Sequence, residues 1–239
     1  MIKTIAKLAK QDSIEVNDFV MSENWIIKNE GKELRLSLTE SQLEQLEQLD
    51  LSDNSRLELV RDWFLLSAWT SLRISDFLKL DLSNIINRDG RQFINKHTKK
   101  TKTQVQIPLM PKAIKLLEKY DYKSPTISDQ RFNDYIKEVA ELAELDDTVL
   151  YLKYTNGKGS ETSAPLHKLI AAHFARRSYA TINYDKGLPI SLLMAVLGHS
   201  DEHTFMKYIN RKTEENSDKL YELMMSDSNK SAQAKMKVV

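Results

Sequence analysis

The sequence contains no cysteine. That excludes a disulfide framework, a thiolate nucleophile and a zinc–thiolate centre, and it makes an intracellular, cytoplasmic setting the expectation. Long apolar runs are missing as well. Lys3, Lys7 and Lys10 interrupt the one apolar stretch near the amino terminus, which leaves no room for a signal-peptide core, and nothing elsewhere approaches a membrane span. A soluble protein with no membrane partner is expected. Surplus charge of one sign is also absent: 35 Lys and Arg stand against 34 Asp and Glu, a net charge of +1. Domains that coat nucleic acid non-specifically are far more basic, so any nucleic-acid surface must be local. No acidic cluster has metal-ligand spacing, and neither a metal nor a cofactor is expected.

What is present is length and pattern. A chain of 239 residues and 27.7 kDa holds one large domain or two small ones with a full core. Charge is segregated along it. Arg88, Arg91, Lys96, Lys99, Lys100 and Lys102 face a single acid, Asp89, whereas acids gather in residues 40–53 and 138–147. Ile2, Ile5 and Leu8 suit a short amphipathic helix, and polar residues to Lys32 read as a linker, with Trp25 and Ile27 packed. Thr39 to Gln42 forms a capping box with Leu38 and Leu43 at the staple positions, so a helix starts there. The domain is expected to span 33–226, with 227–239 a mobile tail.

Residues 56–70 carry Leu57, Val60, Trp63 and Phe64 at helical spacings and read as a buried core helix. Ser75 as N-cap and Asp76 in the first turn predict a second helix, which leaves Arg73 at the bend between the two. From position alone, Arg73 is either a surface turn residue or one held rigidly for a purpose. Ile85 and Ile86, a turn at Asp89 and Gly90, Phe93 and Ile94, then Val105, Ile107 and Leu109 predict a small three-stranded antiparallel β-meander. Pro111 suits the first turn of the next helix, and Ser128 caps another with Phe132, Ile136 and Val139 on one stripe. Residues 149–152 and 166–170 read as the two strands of a hairpin across a long polar loop. Further helices follow over 173–186, 190–197 and 205–209, and one capped by Thr213 runs to Met225. The fold class is α+β, predominantly helical.

The chemistry gathers late in the chain. His173 and Arg176, three apart on a helix, share a face. Leu197, Gly198 and His199 follow, and Tyr208 stands nine residues after His199. Two imidazoles, a guanidinium and a phenol make a phosphate-handling centre with its own nucleophile. With Thr70–Asp76 around Arg73, and Lys100-Thr101 before Val105–Leu109, four signatures stand in order. Together they resemble the catalytic domain of the tyrosine recombinases, the phage- and transposon-type integrases, over about four-fifths of the chain.

That resemblance implies a site of Arg73, Lys100, His173, Arg176, His199 and Tyr208 acting on double-stranded DNA. Tyr208 would attack the phosphorus to form a 3′-phosphotyrosyl link and release a 5′-hydroxyl. His173 would take the phenolic proton and Lys100 would protonate the leaving oxygen, with Lys99 and Lys102 as competitors for that task. His199 would hydrogen-bond the phosphate or position the tyrosine. Phosphate displacement adds negative charge to the non-bridging oxygens, and two guanidinium forks supply the opposing charge without a metal. Lys96, Lys99, Lys102 and Arg177 are expected to contact DNA. The family's proteins work as tetramers on DNA, and a monomer is expected for the isolated chain. They also carry an amino-terminal core-binding domain, of which residues 1–32 resemble a remnant, so weak DNA binding is expected. Site-specific recombination of a mobile element is the leading reading. A topoisomerase-like DNA transesterase without synapsis and a catalytically silent DNA-binding module are the alternatives.

Overall fold

The computed structural model describes residues 2–21, 36–98, 103–155 and 158–209, with 217–218, 221 and 225 beyond them. The chain divides into two compact units, residues 1–34 with 150–163 and residues 35–149 with 164–239. The first holds α1 (Ile2–Gln11) and α2 (Asp18–Met21), where Lys10 and Asp18 pair at 3.0 Å. Among the described residues no helix is long and apolar enough to cross a membrane.

The second unit is built around one buried helix. It begins at α3 (Glu40–Gln48), where the expected capping box forms: Thr39 Oγ1 accepts from Gln42 N at 3.2 Å and Gln42 Oε1 accepts from Thr39 N at 2.9 Å. Next is α4 (Ser55–Thr70), capped by Asn54 Oδ1, which accepts from Leu57 N at 3.2 Å. Leu57, Val60, Trp63, Phe64, Leu65 and Leu66 are all buried on it, so its apolar surface runs round the helix. Such a helix is stable only when covered on all sides. α5 (Ile74–Phe77) follows a three-residue bend. The expected N-cap at Ser75 is corrected: Arg73, in extended backbone, is the N-cap, so Ser75 and Asp76 lie inside a four-residue helix.

A 3₁₀ turn at Leu82–Asn84 leads into the meander of β1 (Ile85–Arg88), β2 (Arg91–His97) and β3 (Gln104–Pro108). Asp89 at φ 52° and Gly90 at φ 73° make the tight β1–β2 turn, a conformation in which glycine carries no steric penalty. Ile94 lies opposite both Ile85 and Ile107 and is fully buried, so one face of the sheet covers the core. Helices α6 (Pro111–Lys119) and α7 (Asp129–Leu142) complete that cover. Trp63 meets Phe77 at 5.5 Å between ring centroids, and Phe77 meets Phe132 at 5.4 Å.

β4 (Thr148–Thr155) pairs with β5 (Lys158–Pro165), and the chain continues into α8 (Leu166–Leu169). The expectation of a strand over 166–170 is therefore corrected. The returning strand is 158–165, whose one apolar side chain besides proline is Ala164, so hydrophobic alternation could not announce it. After it come α9 (Ala172–Asp185), α10 (Ile190–Leu197) and α11 (Glu202–Ile209). The expected helix from Thr213 and the tail from 227 lie outside the described residues, apart from isolated positions.

Asp62 is the one acid buried inside α4. Its carboxylate accepts from Arg61 Nε at 2.8 Å, Lys119 Nζ at 2.6 Å and Tyr120 Oη at 2.8 Å, which ties the end of α6 to α4. Burial and the bond to Asp62 push the Tyr120 phenol far above its ordinary value. The unfolded chain loses that proton near pH ~10 while the fold retains it, so stability falls as pH rises through that region. Asp62→Ala is expected to cost on the order of 2–3 kcal/mol in urea denaturation. Tyr120→Phe should flatten the alkaline limb of the stability profile. An Asp62→Ala protein as stable as the parent would overturn this account of the α4–α6 contact.

Candidate active site

The site is assembled by α9. Its N-cap, Ala171, has no side chain able to cap, and the need is met from outside: Asn133 Oδ1 on α7 accepts from Ala172 N at 2.8 Å. Two turns on, Ser178 Oγ accepts from Leu38 N at 2.7 Å and donates to Phe174 O at 2.8 Å. A helix fixed at its start and near its middle has little freedom to rotate, so the side chains between those points are set in direction.

Arg176 lies between them, only 5% exposed. Its Nη1 donates to Ser71 O at 2.5 Å and its Nη2 donates to Leu197 O. The first carbonyl belongs to the bend after α4. Ser71 there sits in left-handed backbone at φ 61°, a conformation costing a non-glycine residue about 1–2 kcal/mol. Bonds from Ser71 N to Ser67 O at 2.8 Å and from Ser67 Oγ to Leu72 O at 2.6 Å hold it. The second carbonyl ends α10, where Gly198 at φ 62° turns the chain and His199 N closes back on Met194 O at 2.9 Å. One guanidinium thus joins the bend carrying Arg73 to the turn carrying His199. Burial, then the neighbouring charge of Arg73, lowers the Arg176 pKa to about 10, and it remains a cation at neutral pH.

Arg73 lies across from it, with a side chain 20% exposed and Nη1 at 3.9 Å from Asp76 Oδ2. Asp76 is 2% exposed. Among the described residues Arg73 Nη1 has no hydrogen-bond partner, although it is buried. Two guanidiniums held together repel one another, and a buried donor left over is costly. An anion between them would relieve both, so the arrangement is electrostatically a receptor for one.

Tyr208 reaches the same place from α11. Asp201 starts that helix, its Oδ2 accepting from Thr204 N at 2.7 Å. Fully buried Phe205 anchors it in a second apolar cluster with Ala180, Leu193, Leu197 and Ile209. The His199 ring meets Tyr208 edge-on at 5.2 Å and Phe205 at 5.9 Å, and Arg177 Cζ stands 5.2 Å from the centre of the Tyr208 ring. Burial raises the Tyr208 pKa, and it outweighs the opposing pull of Arg176, Arg177 and Arg73 and the hydrogen bond from Arg176. At rest the group is a neutral phenol already surrounded by the cations that would stabilise its anion.

The described geometry therefore brings together Arg73, Arg176, Arg177, His199 and Tyr208. His173 is exposed on the first turn of α9, one turn before Arg176, with its ring edge-on to Phe174 at 4.8 Å. Lys99, Lys100 and Lys102 lie outside the described residues. Two expected DNA contacts are placed differently. Arg177 is 4% exposed and turned inward. Lys96 follows Ile94 by two residues in β2 and so shares its core-facing side. Its ammonium donates to Lys79 O and to Asn84 Oδ1, and burial lowers its pKa against the pull of Asp76 and Asp81. Ser71 and Asn133 went unread in the sequence because each acts on a segment distant in the chain, and the pairing of Asp76 with Arg73, three residues away, because it depends on the shape of the bend between α4 and α5.

Arg176→Lys keeps the charge but cannot span both carbonyls. It is expected to lose about 2–3 kcal/mol of stability in thermal or urea denaturation, with Arg176→Met losing at least as much. A lysine variant of parental stability would show that the two carbonyl bonds do not hold the bends together.

Comparison with known proteins gives the same picture. The sequence matches the phage integrase family over residues 36–215, well over half of the chain. The XerH site-specific recombinase bound to palindromic difH substrate superposes with a TM-score of 0.56 at 17% identity, covering 80% of this chain and 54% of that one. The XerA recombinase gives 0.56 at 16%, covering 95% and 73%. A lambda integrase dimer bound to a COC′ core site gives 0.56 at 16%, covering 89% and 71%. These identities carry the fold alone, and the chain spans about half the length of the XerH protein. No curated protein matches the sequence. Family match, fold and the arrangement around Arg176 agree: the chain belongs to the phage integrase family and has the fold of a tyrosine recombinase catalytic domain.

Proposed function

We propose that this protein is a site-specific DNA recombinase that cuts and rejoins strands through a 3′-phosphotyrosyl intermediate, in the recombination of a mobile element. The observation that carries the reading is the convergence of Arg73 and Arg176 on one place with Tyr208. Arg73 contributes a buried Nη1 that has no hydrogen-bond partner among the described residues, and the Tyr208 phenol stands under the field of both arginines. A scissile phosphate is an anion that gains charge on its non-bridging oxygens as it reacts, and preorganised cations aimed at those oxygens lower the barrier.

In the proposed step the Tyr208 oxygen forms a bond to phosphorus as the bond from phosphorus to the 5′-oxygen breaks. The phenolic proton passes to His173, or to solvent beside it, and Lys100 supplies a proton to the departing 5′-oxygen. His199 orients the tyrosine ring. The new ester keeps the phosphate activated, so the 5′-hydroxyl of another strand reverses the step without a nucleotide cofactor. Tyr208 packs on its own chain's α9 and α10, which favours attack in cis. The lambda integrase tetramer bound to a Holliday junction supports a tetramer on DNA as the working assembly, and Lys99 and Lys102 would contact the DNA.

A nicked suicide duplex, from which the cleaved end diffuses away, tests the reading. The parent chain is expected to form a covalent protein–DNA adduct with a chelator present. Tyr208→Phe should form none, and Arg73→Gln at least 100-fold less. Adduct from the phenylalanine variant, or strand hydrolysis that needs a divalent metal, would overturn the mechanism. Exchange between two duplex sites separates recombination from relaxation of supercoils alone.

A further inference from the structure

We propose that Arg177 is a positioning residue for the nucleophile: its buried guanidinium lies against the ring of Tyr208, fixing the ring's orientation and favouring its anion. The inference rests on Tyr208 being the nucleophile and goes beyond that reading by giving the second arginine of α9 a task of its own.

Neighbouring residues on a helix point about 100° apart, so Arg176 and Arg177 approach Tyr208 from different directions. Arg176 is directed at the carbonyls of Ser71 and Leu197. Arg177 is directed at α11, with Cζ 5.2 Å from the Tyr208 ring centre. At 4% exposure it has almost no surface left for a DNA phosphate. Burying a guanidinium is costly, and one contact offered in return is the face of an aromatic ring, which attracts a cation most strongly when water is excluded. Loss of the phenolic proton makes the ring more electron-rich and strengthens that attraction. The contact is therefore worth more as the nucleophile ionises than in the resting state, which is the requirement for a group that speeds the step. Among the described residues, the charged and titratable groups facing Tyr208 are Arg176 and Arg177 from α9, Arg73 from the bend after α4 and His199 from the turn after α10. Arg177 differs from the other two arginines in meeting the ring rather than the oxygen side.

Two readouts test this. In protein labelled with ¹³Cζ-tyrosine, the Tyr208 resonance is titrated in the parent, Arg177→Met and Arg177→Lys, without DNA. The methionine variant is expected to ionise about one pH unit higher, with the lysine variant between it and the parent. On the suicide duplex, Arg177→Met should form adduct about tenfold more slowly at unchanged DNA affinity, with partial rescue by lysine. Circular dichroism confirms the fold, and if the methionine variant fails to fold, the parent-to-lysine comparison carries the test. A Tyr208 titration that does not move, or a loss of DNA affinity in step with the rate, would overturn the proposal. Absence of adduct in the parent would instead overturn the nucleophile reading and leave the titration result standing.

Discussion

Everything at this site depends on the buried guanidinium of Arg176. It binds two backbone carbonyls that lie far apart in the chain, Ser71 O at the end of one helix and Leu197 O at the end of another. Each carbonyl is left without an intrahelical partner because its helix stops there, and each stop is enforced by a left-handed residue, Ser71 in the first case and Gly198 in the second. Helix C-termini are natural receptors for a cation. The same bonds that satisfy those carbonyls fix the positions of Arg73, two residues after one of them, and His199, two residues after the other. A residue that would ordinarily be read as catalytic alone is also the structural tie of the centre.

The apolar interior is divided in a way that suits such a centre. A large cluster holds α4, the meander, α6, α7 and the start of α9 through Phe174 and Ala175. A small cluster of Ala180, Leu193, Leu197, Phe205 and Ile209 holds the helix that carries Tyr208. Helix α9 is the element that contributes buried residues to both. The arginine bend is thereby part of the large cluster, whereas Tyr208 stands on a segment held by the small one. Regions with little buried apolar surface are the ones that open at lowest cost. Rigid cations and a more easily displaced phenol would suit the proposed reaction, in which a different strand reverses the first step.

Much of this was legible in the sequence wherever the signal is local. The capping box at Thr39 and Gln42, the span of α10 and the turn at Asp89 and Gly90 each depend on a few neighbouring residues, and each forms as expected. Arg176, His199 and Tyr208 also come near one another, because a helix and a capped turn carry them. Other features had no local signal. Strand β5 is almost wholly polar, so alternation could not mark it. Lys96 belongs to a basic run by composition, but the strand's two-residue period turns it toward the core with Ile94. Arg177 looks like a surface cation beside Arg176, and only the packing of α11 against α9 gives it the Tyr208 ring as a neighbour. Asn133, which starts the helix carrying Arg176, stands on another element altogether.

The central claim is that Arg176 and Arg73 present a phosphate to Tyr208. Mass spectrometry of the peptide that remains joined to a cleaved oligonucleotide addresses it most directly. The account predicts a single linkage, at Tyr208, through a 3′-phosphate, with a 5′-hydroxyl on the released strand. Linkage through Tyr184, Tyr221 or any other residue, or a 5′-phosphate joined to the protein, would contradict it.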